Sequence, residues 1–375
     1  MRRTIKSCCQ QIDYGVGLAS TPEPVGPKYL RITDIENSWI DWSSVPYCII
    51  NQSEASRYAL AEGDIVVART GASTGRSQWI GNPSDAVFAS YLVRLRTKSD
   101  VDSRFLAFAL QSRAWRHYVS SVSSAKSAQP NMSATAMASF ELDVPPLPEQ
   151  RAIAEVLGAL DDKIAANSKA EARIVELGVA LVTRQTADGI QTTVGQVANF
   201  HNRHRVPLSA RQRLERLGSV PYWGANGQMD TVSEALFHEP LVLVGEDGSV
   251  VTSQGRAVVH HVWGPTWVNN HAHVLTGEGL STELLWFLMR DLEVAQAVTG
   301  AVQPKLSMGN LKALPMVVPA KMGTLEQIIR PLVELYRTTS EQSQALVTLR
   351  DTLLPALMDG TIRVKDAITQ AEEVL

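Results

Sequence analysis

The chain is short of cysteine and of net charge, and it has no long apolar run. Three cysteines occur in 375 residues, Cys8, Cys9 and Cys48, odd in number and confined to the start. That argues against a disulfide framework and predicts reduced, buried thiols. No stretch of about 18 apolar residues is present, and MRRTIKSCCQQIDYG lacks the apolar core of a signal peptide. The sequence therefore predicts a cytoplasmic protein with no membrane partner. A formal net charge of −3 removes bulk attraction to nucleic acid, and residues 1–144 hold only 15 Lys and Arg against 13 Asp and Glu. Phosphate affinity would have to come from local clusters or from basic partner subunits. Three clusters qualify: Arg94, Arg96 and Lys98; Arg113, Arg116 and His117; and Arg203, Arg205, Arg211, Arg213 and Arg216. The plain alternative for each is a solvated face.

Catalytic signatures are missing as well. There is no Gly-x-x-x-x-Gly-Lys-Ser/Thr loop for a nucleoside triphosphate. GASTG (Gly71 to Gly75) lacks the lysine and reads as a turn at a sheet edge. An Asn/Asp-Pro-Pro-aromatic loop, needed to hold an adenine during methyl transfer, is absent, since Val144-Pro145-Pro146-Leu147 fails the pattern, and so is a glycine-rich turn for a methyl donor. His271-Ala272-His273 and His201 with His204 lack further ligands at a familiar spacing, so no metal site is expected. Asp161-Asp162 reads as a solvated helix face. These absences predict a chain with no catalytic residues and no cofactor of its own.

What is present is repetition. AQPNMSATAMASFELDVPP (Ala128 to Pro146) aligns with VQPKLSMGNLKALPMVVPA (Val302 to Ala320), with Gln129 and Gln303, Pro130 and Pro304, Ser133 and Ser307, and Val144 and Val318 at one offset of 174. GDIVVARTGAS parallels PLVLVGEDGSV, with Gly71 opposite Gly248, and TIKSCCQ parallels TVGQVAN at the head of each copy. A duplicated unit alternating with a helix implies two reading heads on a spacer. Short apolar runs such as Ile65 to Ala68 and Leu241 to Val244 predict a β-rich core in each head, with helices over 103–119 and 282–298.

Two helical stretches follow the heads. The first carries Ile153, Leu157, Leu160 and Ile164, then Asn167, Glu171, Ile174 and Leu181, in steps of three and four. The second carries Leu325, Ile328, Leu332, Leu335, Thr339, Gln342, Leu346, Leu349, Leu353 and Ala356. Both read as coiled-coil helices. Asn167 and Gln342 on the seam would lower stability and fix register. Thr324 with Gln327 suggests a capping box, Gly360 a C-terminal stop, and Pro331 and Pro355 a bend and a break. The expected fold is α+β: two β-rich domains joined by two long antiparallel helices, with an internal pseudo-two-fold repeat. About 35 residues at roughly 1.5 Å per residue give roughly 50 Å, of the order of one to one and a half turns of B-DNA at about 34–36 Å each.

PPLPEQRAIAEVLGALDDKI (Pro145 to Ile164) resembles the central conserved region of the specificity subunits of type I restriction-modification enzymes. LRDTLLPALMDGTIRV (Leu349 to Val364) is similar to the end of their distal conserved region. PVGPKYLRITDIENSWIDW, SVPYWGANGQMDTV and LVLVGEDGSVV resemble the opening of a target-recognition domain. The resemblance covers nearly the whole chain and divides it into recognition domain 1 (1–144), central region with the first spacer helix (145–185), recognition domain 2 (186–320), and distal region with the second spacer helix and tail (321–375). It implies a non-catalytic subunit that reads a split double-stranded DNA target and docks two adenine methyltransferase subunits. Motor-nuclease subunits would join through them, with S-adenosylmethionine on the methyltransferase and ATP and Mg on the motor. The short helical segment often preceding the first domain is missing or reduced, which gives its packing to residues 364–375. The alternative is a protein-binding scaffold that reads no DNA.

Base readout favours Arg or Lys on guanine and Asn or Gln on adenine. The candidates are Arg69, Thr70, Ser73, Arg76, Lys126, Gln129 and Asn131 in the first copy, and Tyr222, Asn226, Asn269, Asn270, His271, Gln303 and Lys305 in the second. Gln129 and Gln303 share one repeat position in a polar loop, where the following proline could equally be what shapes the backbone.

Overall fold

A computed structural model describes residues 1–36, 39–83, 85–123, 130–300, 303–372 and 374. They form two compact units, Met1–Ser168 with Glu341–Leu375, and Lys169–Ser340. Each unit contains one copy of the repeat and a stretch of both long helices.

In the first unit, Arg2–Thr4 pairs antiparallel with Glu141–Asp143, so the two ends of the copy are tied together. A four-stranded sheet follows in the order Cys9–Tyr14, Leu92–Thr97, Ile65–Ala68, Ser77–Trp79. A second sheet contains a parallel pair, Lys28–Leu30 with Ala86–Phe88. The run Ile65–Ala68 is buried on both faces. Ile65 and Val67 join one cluster with Ile5 and Phe105, while Val66 and Ala68 join another with Leu30, Ile35 and Phe88. This is the period-two alternation of a central strand.

The second unit repeats the plan. Ile190–Thr193 pairs with Pro315–Val318, and the main sheet runs Ala198–Phe200, Ala272–Gly277, Leu241–Gly245, Val259–Val262. Leu241 and Leu243 face one cluster, Val242 and Val244 the other. A parallel pair recurs between Val220–Gly224 and Trp267–Val268. Ser133 and Ser307 perform the same task, each hydroxyl accepting a backbone N–H (from Ala136 and Asn310) at 3.1 Å to cap a short helix. The three thiols are free and buried, and burial pushes that of Cys9 up to about 12. Among the described residues no helix is long and apolar enough to cross a membrane.

Several helix expectations need correction. The stretch 103–119 is two helices, Ser103–Ala109 and Arg113–Ser123, separated by a turn, and 282–298 is one helix, Thr282–Arg290, with a 3-10 turn at Ala295–Ala297. The long helices span Leu147–Thr186 and Met322–Met358. The second is not broken at Pro355: both its prolines are exposed, so their missing N–H bonds lie on the solvent side. Thr324 lies inside that helix rather than at its cap. Gly360, at φ +73°, follows the helix end as the expected stop.

In the first unit Ile153, Leu157, Leu160 and Ile164 share one buried cluster with Leu346 and Leu353, and Leu349 packs against its edge. Asn167 Nδ2 donates to Gln342 Oε1 at 3.0 Å, and Arg350 pairs with Asp161 at 3.0 Å, which corrects the reading of Asp161 as solvated. The tail helix Val364–Glu372 buries Ala367 and Ala371 in the same cluster. In the second unit the heptad reading slips. Burial follows Leu325, Ile329 and Val333 in steps of four, leaving Ile328 and Leu335 about half exposed and Leu332 partly buried.

Candidate nucleic-acid interface

At one end of each main sheet the strand that crosses the core turns sharply and meets the loop preceding the capped helix. In the first copy Thr70 bridges Asn131, Gly71 N donates to the Pro130 carbonyl at 3.0 Å, and Met132 N donates to the Arg69 carbonyl at 2.8 Å. In the second copy Asp247 bridges Lys305, Gly248 N donates to Pro304 O at 3.0 Å, and Leu306 N to Glu246 O at 2.8 Å. The glycines make the turn, at φ +74° and +83°. A third strand completes the frame, with Arg69 N donating to Tyr91 O and Glu246 N to His271 O. One backbone device thus appears twice with different side chains.

In the first copy Arg69 lies over the Tyr14 ring at 4.8 Å, its Nη2 is 3.5 Å from Asn131 Oδ1, and its buried Nε has no partner among the described residues. Arg76 donates to the Glu36 carbonyl at 2.5 Å, Asn131 is exposed, and Thr70 and Ser73 are partly exposed. In the turn after Gly71, Thr74 N donates to Gly71 O, Gly75 N to Ala68 O and Arg76 N to Ser73 O. Lys126 and Gln129 lie outside the described residues.

In the second copy the same frame is acidic, and its carboxylates have partners. Glu246 accepts from Arg205 at 2.6 Å and lies 3.8 Å from Lys305 Nζ, while Asp247 bonds His271 Nδ1 at 2.5 Å. Beneath them His273 is fully buried between Leu306 O and Asn202, and burial pushes its pKa down. Asn226, Asn270, His271 and Gln303 are exposed.

Two candidates are corrected. Tyr222 is buried, and its hydroxyl accepts from Leu208 N at 3.0 Å. It matches Tyr29 of the first copy, whose hydroxyl accepts from Leu18 N at the same distance, and both sit on the parallel strand pair. Asn269 is buried too, its carbonyl oxygen accepting from His271 N at 2.8 Å to shape the turn. The charge clusters also change meaning. Arg94 is buried between Asp13 and Asp64, and Arg96 forms two bonds to Asp64. Arg211, Arg213 and Arg216 pair with Glu215, Asp230 and Glu234. Arg113, Arg116 and His117 remain exposed on one helix. Sequence reasoning missed Tyr14 and the 60%-exposed Tyr91 beside Arg69. Aligning Tyr91 with His271 within the repeat would have found the latter. Among the described residues no group of three or more His, Cys, Asp or Glu is placed to hold a metal.

Residues 23–176 match the model of the type I restriction modification DNA specificity domain. The chain is 31% identical over 147 residues to a type I restriction enzyme specificity subunit of Haemophilus influenzae, a match covering 39% of this chain and 37% of the relative. It is 23% identical over 172 residues to one of Methanocaldococcus jannaschii, covering 44% and 40%. It thus spans less than half the length of the curated relatives it matches. The fold is similar to the crystal structure of a type I restriction-modification S subunit from M. genitalium, at TM-score 0.57 and 16% identity over 96% of both chains. The domain match and both relatives point one way: over part of its length the chain is similar to the type I restriction-modification specificity subunits.

Proposed function

We propose that this chain reads a bipartite double-stranded DNA target in the cytoplasm, one half-site per copy, with residues 1–144 and 186–320 as the two readers. Segments 145–185 and 321–375 act as spacer helices that dock two adenine methyltransferase subunits and, through them, motor-nuclease subunits. The chain binds no cofactor; S-adenosylmethionine belongs to the methyltransferase, ATP and Mg to the motor. The observation that carries this reading is the twin loop-on-loop frame, where Arg69 and Asn131 occupy the places that Glu246 and Lys305 occupy in the other copy. One backbone frame holding different donors and acceptors is what reading two different base sequences requires. Because so many arginines are spent on internal pairs, much of the phosphate affinity falls to the partners. The exposed Ile328 and Leu335 on the second long helix suit partner docking.

The test exchanges residues 186–320 for the matching region of a related subunit, in a complex reconstituted with its methyltransferase, and maps the methylated sites. One half of the target should change and the other persist. An unchanged target would favour the protein-binding scaffold.

A further inference from the structure

The two copies meet their helices through corresponding contacts at the start of a short helix and through nearby ion pairs of reversed sign. In the first unit the helix Ser103–Ala109 is laid on the first long helix, and Asp102 N donates to Gln150 Oε1 at 2.9 Å. In the second unit the helix Thr282–Arg290 is laid on the second long helix, and Ser281 N donates to Glu326 Oε1 at 2.7 Å. Asp102 and Ser281 are the N-caps of the two short helices, so the next matched position but one is Arg104 in one and Glu283 in the other. Arg104 donates twice to Asp162, at 2.6 and 3.1 Å, and once to Gly158 O at 3.0 Å. Glu283 accepts from Arg337 at 2.7 Å, and Arg337 also reaches His261 Nε2 at 3.3 Å. The head is cationic and the helix anionic in one seat; the signs are inverted in the other.

We infer that these pairs form a seat code, in which Arg104 with Asp162 and Glu283 with Arg337 admit each head only to its own helix. A head moved to the other seat would set Arg104 against Arg337, or Glu283 against Asp161 and Asp162. Exposed ion pairs contribute little, and Asp162 is two-thirds exposed, but Arg104 is bidentate, lies over Trp79 at 4.9 Å and is one-quarter exposed, and both partners of the Glu283–Arg337 pair are one-quarter exposed. Shape adds to charge: a Cβ on Gly158 would come within 2.6 Å of the Arg104 guanidinium carbon, so a larger residue there would displace the Arg104 head group. Taking Gln150 and Glu326 as matched, the corresponding position of the second helix is Glu334. The inference is independent of DNA reading.

The test uses the full chain and reads hydrogen exchange at the buried Ile329 and Val333 of the second seat. Glu283→Arg and Arg337→Asp should each speed exchange about fivefold or more, and the two together, which rebuild the first seat's polarity, should return it to within about twofold. A graft extends this: residues 190–318 are replaced by residues 1–144, with Glu334→Gly in graft and parent alike. Arg337→Asp should then slow exchange in the graft while speeding it in the parent. Additive effects in the first four proteins, or an effect of the same sign in graft and parent, would overturn the code. If the graft fails to fold, the four-protein cycle still decides.

Discussion

Gln303 and Lys305 flank Pro304, whose carbonyl is fixed by Gly248 N, so both side chains hang from an anchored backbone. Gln303 is exposed, and its replacement by Ala should relax selectivity at one base position by roughly 1–3 kcal/mol. Lys305 is different, because its ammonium shares Glu246 with Arg205. Lys305→Ala should weaken binding to all sequences alike and lower the salt slope by about one. Binding of half-site variants at two salt concentrations separates the two, and a Gln303→Ala defect uniform across sequences would remove it from the readers. His261 yields a prediction in pH. Burial first, and the Arg337 guanidinium second, push its pKa down to about 3. The imidazole is neutral when folded but takes a proton near 6.5 when unfolded. Stability in the second unit should therefore be full above about pH 6.5 and fall as pH drops toward 3. His261→Gln should flatten that decline in urea titrations across the window; an equal decline in both proteins would exclude His261 as its source.

At the level of elements, the amide pair Asn167–Gln342, with Asn167 buried and Gln342 partly exposed, links the two long helices. Asn167→Ala removes a hydrogen bond whose other partner, Gln342, is partly exposed, and should cost about 0.5–1.5 kcal/mol, visible as a lower melting temperature. Replacing both by Leu should restore or raise stability while loosening register. A melting temperature unmoved by Asn167→Ala would mean the pair contributes nothing. The same helices show where pattern reading fails. Leu325 begins two apolar stripes, one through Ile328, Leu332 and Leu335 and one through Ile329 and Val333, and periodicity cannot choose between them. The second won because Val182 and the globular core of that unit pack on it.

For the molecule as a whole, the first long helix separates the two copies of the repeat along the chain. If it sets the distance between half-sites, four residues inserted after Ser168, about 6 Å of helix, should alter the unread spacer by about two base pairs and leave both half-sequences intact. An unchanged spacer in the methylated sites would remove the helix from that role. The duplication was legible because its punctuation was kept, in Gly71 and Gly248, Pro130 and Pro304, and Ser133 and Ser307. The fate of the arginines was not, since Arg94 and Arg96 find Asp13 and Asp64 only across the sheet. Nor was the burial of Tyr222, which depends on a loop it closes, though Tyr29 in the matching motif hinted at it. Arg69 and Glu246 occupy one place in the repeated frame with opposite sign. Two identical copies would be served equally by either strand of a symmetric word. Two unlike copies are not, so under the proposed reading the word marked is not its own reverse complement, and the two strands of the duplex become distinguishable to whatever acts upon them.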